Sequence, residues 1–285
     1  MNPEELRYFW NHYQLSDCVV ALLLLVISTL IVTTCPPYCR PFSWKDPSLD
    51  YPYVISVTFP IWTLFLFLTM ALVFYGLVVT SLGGPLWLWV KAQLLAAISQ
   101  QVIVNLIKVY AGRLRPDYLN RLRYLGFNED SYAESGVKGI TAREYYCKLG
   151  ESYPELREGR LSFPSGHSSI SFAVFTFMSL FLFAYIRPSS RGGSFVRLLL
   201  SLCPMIIAFL CAVSRTRDYW HNFDDVVAGA IIGSVCALLC FYNAFRITGG
   251  GICIARRSEA EEGSTVDISG GESAQNAQVV TMQAD

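Results

Sequence analysis

Six apolar stretches, each long enough or nearly long enough to cross a lipid bilayer, constrain this chain more than any other feature. They cover residues 18–34, 54–82, 85–107, 168–186, 198–213 and 226–245. A hydrocarbon core about 30 Å thick takes roughly 20 helical residues, and inside it a helix satisfies its own backbone N–H and C=O groups. The pattern predicts an all-α fold, a six-span transmembrane helical bundle with a long loop between spans three and four. A content of 53% hydrophobic residues over 285, with a mean hydropathy of +0.39, also points away from a soluble globule. The first and fifth stretches are short, and Pro60 and Pro204 interrupt the second and fifth, so a kink or tilt is expected there.

Three regions follow: an N-terminal arm at 1–17, the membrane domain at 18–245 and a C-terminal tail at 246–285. Beyond Arg257 the tail has six acids and no Lys or Arg, and its Gly, Ser and Gln content reads as disorder. Glu4 and Glu5 precede the first stretch and Arg7 is the one basic residue there, so it is read as an uncleaved span rather than a secretory signal. Of nine cysteines, Cys18, Cys203, Cys211, Cys236 and Cys240 lie in spans as small apolar residues. Cys35 and Cys39 share the first loop and Cys147 lies in the long one, which leaves a disulfide among them open if that side is oxidising. Cys253, near Arg256 and Arg257, is read as an ordinary juxtamembrane cysteine, with palmitoylation as the alternative. The cysteines show no metal-ligand spacing, and there is no Asn-x-Ser/Thr sequon. The formal net charge of zero identifies no partner, and no nucleic-acid partner is expected.

An even number of spans leaves both termini on one side and the loops at 35–53, 108–167 and 214–225 on the other. The short loop at 187–197 carries Arg187, Arg191 and Arg197 with no acid, which the positive-inside rule makes cytoplasmic. The termini are then cytoplasmic. The other three loops face the outside or a lumen, at the plasma membrane or an endomembrane.

Those loops hold three chemically loaded stretches: KVYAGRLRP at 108–116, PSGH at 164–167 and SRTRDYWHNFDD at 214–225. A phosphate ester needs its charge neutralised before a nucleophile can approach, and oriented cations with N–H donors do this. Lys108, Arg115 and Arg215 can supply the cations, although each alone reads equally well as an interfacial residue snorkelling from a helix end. Ser165 and Gly166 open a helix N-terminus, an anion site by geometry and an ordinary N-cap by default. His221 and Asp225 are four apart at the start of the sixth span, so on a helix the carboxylate can hold Nδ1 and leave Nε2 nucleophilic. A structural His–Asp pair is the alternative for these two taken alone.

Written as K-x6-RP, PSGH and SR-x5-H-x3-D, the three stretches resemble the signature of the type 2 phosphatidate phosphatase superfamily. The six-span layout, PFSWKDPSLDYPY at 41–53, GRLRP and SGHSS from Ser165 resemble its eukaryotic lipid phosphate phosphatases, over roughly residues 17–246. One departure is Asn222, where that branch often carries a second histidine. The resemblance implies that His221 attacks phosphorus to give a phosphohistidine and that His167 protonates the leaving alkoxide. Asp225 would orient His221, and Lys108, Arg115, Arg215, Ser165 and Gly166 would hold the phosphoryl oxygens. It implies no metal and no cofactor, with phosphatidate as the first substrate and lysophosphatidate, ceramide 1-phosphate and sphingosine 1-phosphate beside it.

A phosphatase for a polyisoprenyl diphosphate or glucose 6-phosphate is the closest rival, and an inactive membrane scaffold is the rival of another class. A transporter would line its membrane interior with polar residues rather than gather them at helix ends. The GxxxG of Gly229 and Gly233 fits either dimerisation or internal helix packing, so a homo-oligomer stays open. Trp87 and Trp89 are read as interfacial anchors.

Overall fold

The computed structural model describes residues 14–82, 84–186, 194–247 and 253–255, with isolated positions in the N-terminal arm. Among the described residues, six long helices are apolar enough to cross a membrane. They are α1 (Leu15–Thr34), α2 (Trp62–Leu82), α3 (Leu86–Ala111), α8 (Gly166–Tyr185), α9 (Ser194–Arg217) and α10 (Phe223–Ala244). Between α3 and α8 the expected long loop folds into four short helices, α4 (Tyr118–Tyr124), α5 (Ser131–Glu134), α6 (Ala142–Ser152) and α7 (Pro154–Glu158).

The boundaries differ from the hydropathy reading in ways that matter for the site. The second helix starts at Trp62, so residues 54–61 are an irregular lead-in of bends and a turn. Pro60 therefore does not kink a helix: it precedes the first turn, where its carbonyl accepts from Thr63 N at 3.0 Å. Pro204 does lie inside α9. That helix and α3 both run beyond their apolar stretches, so Arg215 and Lys108 sit in last helical turns. Past α10, a two-stranded antiparallel hairpin pairs β1 (Phe245–Ile247) with β2 (Cys253–Ala255), in the stretch expected to lack structure. The acidic tail from 256 onward and the loop residues Arg187 and Arg191 lie outside the described residues.

The fourth span, α8, is the hub. It packs on α10, α9, α3 and α2, while α1 packs on α3. The approach of α10 to α8 needs its two glycines: a Cβ at Gly229 would stand 2.4 Å from Ser165 O, and one at Gly233 would stand 2.0 Å from Ser169 O. The GxxxG therefore serves packing within the bundle. At the end of the bundle where α3 begins, Trp89 is 1% exposed and stacks on Phe245 at 3.9 Å, edge-on to Phe181 at 4.7 Å. This corrects its reading as an interfacial anchor. Trp87 and Trp89 are two residues apart, about 200° around a helix, so one points outward when the other points in.

At the other end the first loop and the helices α4 to α7 form a cap with its own core of Leu49, Leu114, Tyr118, Leu119, Leu122, Tyr146 and Leu156, packed by Phe42 and Trp44. A disulfide between Cys39 and Cys147 ties the first loop to α6. The first loop also crosses the end of α3. Tyr38 N donates to Val109 O at 2.9 Å, and a Cβ at Gly112, whose φ is +52°, would fall 1.9 Å from Tyr38 O. Only glycine combines that left-handed turn with so close an approach.

Candidate active site

Backbone hydrogen bonds bring the three sequence stretches together at one end of the bundle. After Gly112 the chain runs beside residues 159–162, with Arg115 N bonded to Gly159 O at 2.8 Å and Ser162 N to Arg113 O at 3.0 Å. Ser165 N then donates to Asp225 O at 2.9 Å, which joins the start of α8 to the start of α10.

His221 is 3% exposed and lies just before α10. Its Nδ1 stands 3.7 Å from Asp225 Oδ2; the ring lies outside the helix, so the two meet across the turn that enters α10 rather than by the helical i,i+4 stacking expected from the sequence. The carboxylate is held from several sides. Oδ2 accepts from Ser162 Oγ at 2.6 Å and from Asn222 N at 3.0 Å, and Oδ1 accepts from Arg113 Nη1 at 2.8 Å. Ser162 Oγ also lies 3.5 Å from His221 Nδ1, so the hydroxyl bridges ring and carboxylate. Arg113 pairs with Asp224 as well. Asn222, the departure from the lipid phosphatase pattern, is the N-cap residue of α10. Burial, followed by the charge of Arg115, holds the His221 imidazole well below its usual pKa; Asp225 opposes this without overcoming it. A neutral ring with Nδ1 toward a carboxylate leaves Nε2 as its available base or nucleophile.

Arg115 and Lys108 act on this histidine through their charges, and its backbone N–H donates to Arg215 O at 3.2 Å. Arg115 is 1% exposed: Nε donates to Glu158 O at 2.9 Å, Nη1 donates to Trp220 O at 3.1 Å, and Nη2 pairs with the Glu158 carboxylate. Its guanidinium lies 4.4 Å over the Trp220 ring. Arg215 is fully buried against Ser214 Oγ, with Nη2 3.0 Å from Asp218 Oδ2, and its Nη1 has no hydrogen-bond partner among the described residues. Thr58 locks Asp218 in turn, through its N–H and its hydroxyl, both at 2.8 Å. Lys108 is partly buried, within the fields of Glu158, Arg115 and Asp225. The charges of Arg215, Lys108 and Arg115 all act on His167, whose Nε2 is enclosed and without a hydrogen-bond partner among the described residues.

Ser165 is buried as the N-cap of α8 and accepts from Ser168 N at 3.4 Å, so the ordinary capping role is present. A Cβ at Gly166 would meet only Val104 Cγ1, at 3.9 Å; the fold leaves room there that packing does not require. Buried donors and cations with a neutral histidine can bind and transfer a phosphoryl group. Arg113, Ser162, Asp218, Thr58 and Glu158 also belong to this network, and the sequence reading had passed over them. Asp218, three residues after Arg215 at the end of a helix, was visible as an i,i+3 pair. Glu158 and Thr58 carried no local signal.

Comparison with known proteins identifies the family. The chain is 31% identical over 237 residues to Lipid phosphate phosphatase 2 of Arabidopsis thaliana, covering 82% of this chain and 78% of that protein. It is 27% identical over 241 residues to Diacylglycerol pyrophosphate phosphatase 1 of Saccharomyces cerevisiae, covering 82% and 80%. Lipid phosphate phosphatase 1 of Arabidopsis thaliana is 37% identical over 148 residues, which cover 52% of this chain and 42% of that one. No solved structure matches the chain significantly. The PAP2 superfamily matches residues 89–248, a segment that holds most of α3, the short helices α4 to α7, the last three spans and Lys108, Arg115, His167, Arg215 and His221; the chain belongs to that superfamily and is a multi-pass membrane phosphatase.

Proposed function

We propose that the protein removes phosphate from lipid phosphate monoesters, phosphatidate first, releasing diacylglycerol and inorganic phosphate. Lys108, Arg115 and Arg215, with Ser165 and the Gly166 N–H, hold the phosphoryl oxygens. His221 Nε2 attacks phosphorus as the bond to the lipid oxygen breaks, and His167 donates a proton to that oxygen. Water, deprotonated by His167, then attacks the phosphohistidine, breaks the P–N bond and restores both histidines. Asp225 orients His221 throughout. Three cations take the charge-neutralising part that a metal plays elsewhere, so the reaction proceeds without one.

The observation that carries this reading is the environment of His221: a buried ring, Nδ1 toward Asp225 and Ser162, in the field of Arg115 and Lys108. The ends of membrane helices suit a substrate whose chains lie in lipid and whose phosphate lies in water. Phosphate release from phosphatidate by the purified protein with EDTA present is the test. His221→Ala should abolish it, and loss of activity in EDTA alone would remove the metal-free mechanism. Diacylglycerol pyrophosphate is the second substrate to assay, because of the similarity to the yeast phosphatase named for it. A polyisoprenyl diphosphate and glucose 6-phosphate complete the panel; failure on all four would favour the scaffold.

The site faces the outside or a lumen, with cytoplasmic termini. The Cys39–Cys147 disulfide supports this, because such bonds persist on the oxidising side of a membrane. Ala133→Asn completes an Asn-x-Ser sequon with Glu134 and Ser135 in the cap. Its glycosylation in microsomes is expected, and an unmodified chain would reverse the topology.

A further inference from the structure

Of the groups that Arg115 touches, one alone is of a kind that a phosphoryl oxygen could replace. Its Nε and Nη1 bond to the backbone carbonyls of Glu158 and Trp220, and its flat face lies on the Trp220 ring. These contacts belong to the wall of the site. The remaining partner, at Nη2, is the Glu158 carboxylate. That carboxylate also lies in the fields of Lys108 and Arg121, so it occupies the part of the site where two of the phosphate cations act together.

Glu158 is held far more loosely than the acid that serves Arg215. Asp218 is 7% exposed at its side chain and is fixed by Thr58 N, Thr58 Oγ1 and Arg215 Nη2. The Glu158 side chain is 42% exposed, and Arg115 is its one hydrogen-bond partner among the described residues. It stands on the last residue of α7, a helix of five residues. The atoms crowded around its carboxylate push the pKa up although one edge of the side chain stays open to solvent, but the charges of Arg115, Lys108 and Arg121 outweigh this and hold it below the usual glutamate value, so it is ionised at neutral pH. A carboxylate and a phosphate present the same kind of anionic oxygen to a guanidinium.

We propose that Glu158 is a built-in competitor for the phosphate position: its carboxylate occupies Arg115 while the site is empty, gives way to the incoming phosphate and returns as inorganic phosphate leaves. This rests on the reading of Lys108 and Arg115 as phosphate cations. Asp218 positions Arg215 permanently, whereas Glu158 keeps a buried guanidinium paired between turnovers and limits how tightly product is retained. Substrate and product both bind more weakly than they would to an unoccupied Arg115.

The full-length protein in detergent, assayed on a short-chain phosphatidate with inorganic phosphate as competitive inhibitor, tests this. Glu158→Gln should lower both KM and the Ki of phosphate by about threefold to tenfold, the range of a charged hydrogen bond partly screened by water. Glu155→Gln, on the same helix and without contact to Arg115, should change neither. A Ki that stays the same or rises in Glu158→Gln overturns the proposal, since a positioning role for Glu158 predicts weaker binding. An equal fall in Glu155→Gln also overturns it, by showing a general field effect. Glu158→Ser carries the same test should the glutamine variant fail to fold. Arg115→Ala separates the two levels: a weaker phosphate Ki with no gain in Glu158→Gln rejects the competitor alone, whereas an unchanged Ki rejects Arg115 as a phosphate cation and the competitor with it.

Discussion

Asp225 accepts hydrogen bonds from Arg113, Ser162 and Asn222, while the histidine it faces stands 3.7 Å away. Ser162 Oγ, 2.6 Å from that carboxylate and 3.5 Å from Nδ1, is thus the short link between them. Ser162→Ala should lower kcat about tenfold to a hundredfold with little change in KM, the range for a buried hydrogen bond to a charged group. Ser162→Thr should restore most of it, and an alanine variant with unchanged kcat would sink the link. The depressed pKa of His221 sets the pH dependence. The nucleophile is neutral above that pKa and is lost as pH falls through it, so the acid limb of kcat/KM should lie below the ordinary histidine value of about 6.5. An acid limb at or above that value in a pH–rate profile would contradict a buried neutral nucleophile.

Between elements, the contact of α8 with α10 brings His167 and His221 into one site, and it depends on the absence of side chains. Gly233→Ala would put a methyl group 2.0 Å from a backbone carbonyl of α8, which cannot move aside as a flexible side chain could. A loss of about 1–3 kcal/mol is expected, read as a lower Tm together with reduced kcat. Gly76, in α2, has nothing within 4 Å of an added Cβ, so Gly76→Ala should leave Tm unchanged or raise it slightly. Equal effects at the two positions would mean that the α8–α10 approach is not the constraint. The same argument explains why this GxxxG, which from sequence fits a dimer equally well, has its closest contacts inside the molecule.

At the scale of the whole molecule, the cap joins spans that would otherwise be separate. The first loop is bonded to the end of α3 by Tyr38 and Arg40, to α6 by the Cys39–Cys147 disulfide, and to the segment around His221 through Val54 and Thr58. Breaking the disulfide frees a loop of 108 residues, so Cys39→Ser should cost about 2–4 kcal/mol of stability. The measurement is Tm with and without reductant: the wild type should fall toward the variant, and the variant should not respond.

The six spans and the nearness of His221 to Asp225 were legible in the sequence, because each depends on residues close together in the chain. Apolar length decides what crosses a bilayer, and four residues of separation keep His221 near Asp225 across the turn that enters α10. Helix ends were less legible. Hydropathy stops at the last apolar residue, whereas α3 and α9 continue through Lys108 and Arg215 because backbone hydrogen bonding does not depend on side-chain polarity. The direction in which Trp89 points was illegible, since two tryptophans two residues apart look alike until a partner such as Phe245 is present. Above all, the tertiary structure decided which acid serves which cation. Glu158 meets Arg115 across 43 residues and Thr58 meets Asp218 across 160. A charge carries no mark of its distant partner, and only the folded backbone, turned back at Gly112 and held close by Gly229 and Gly233, brings the two within reach.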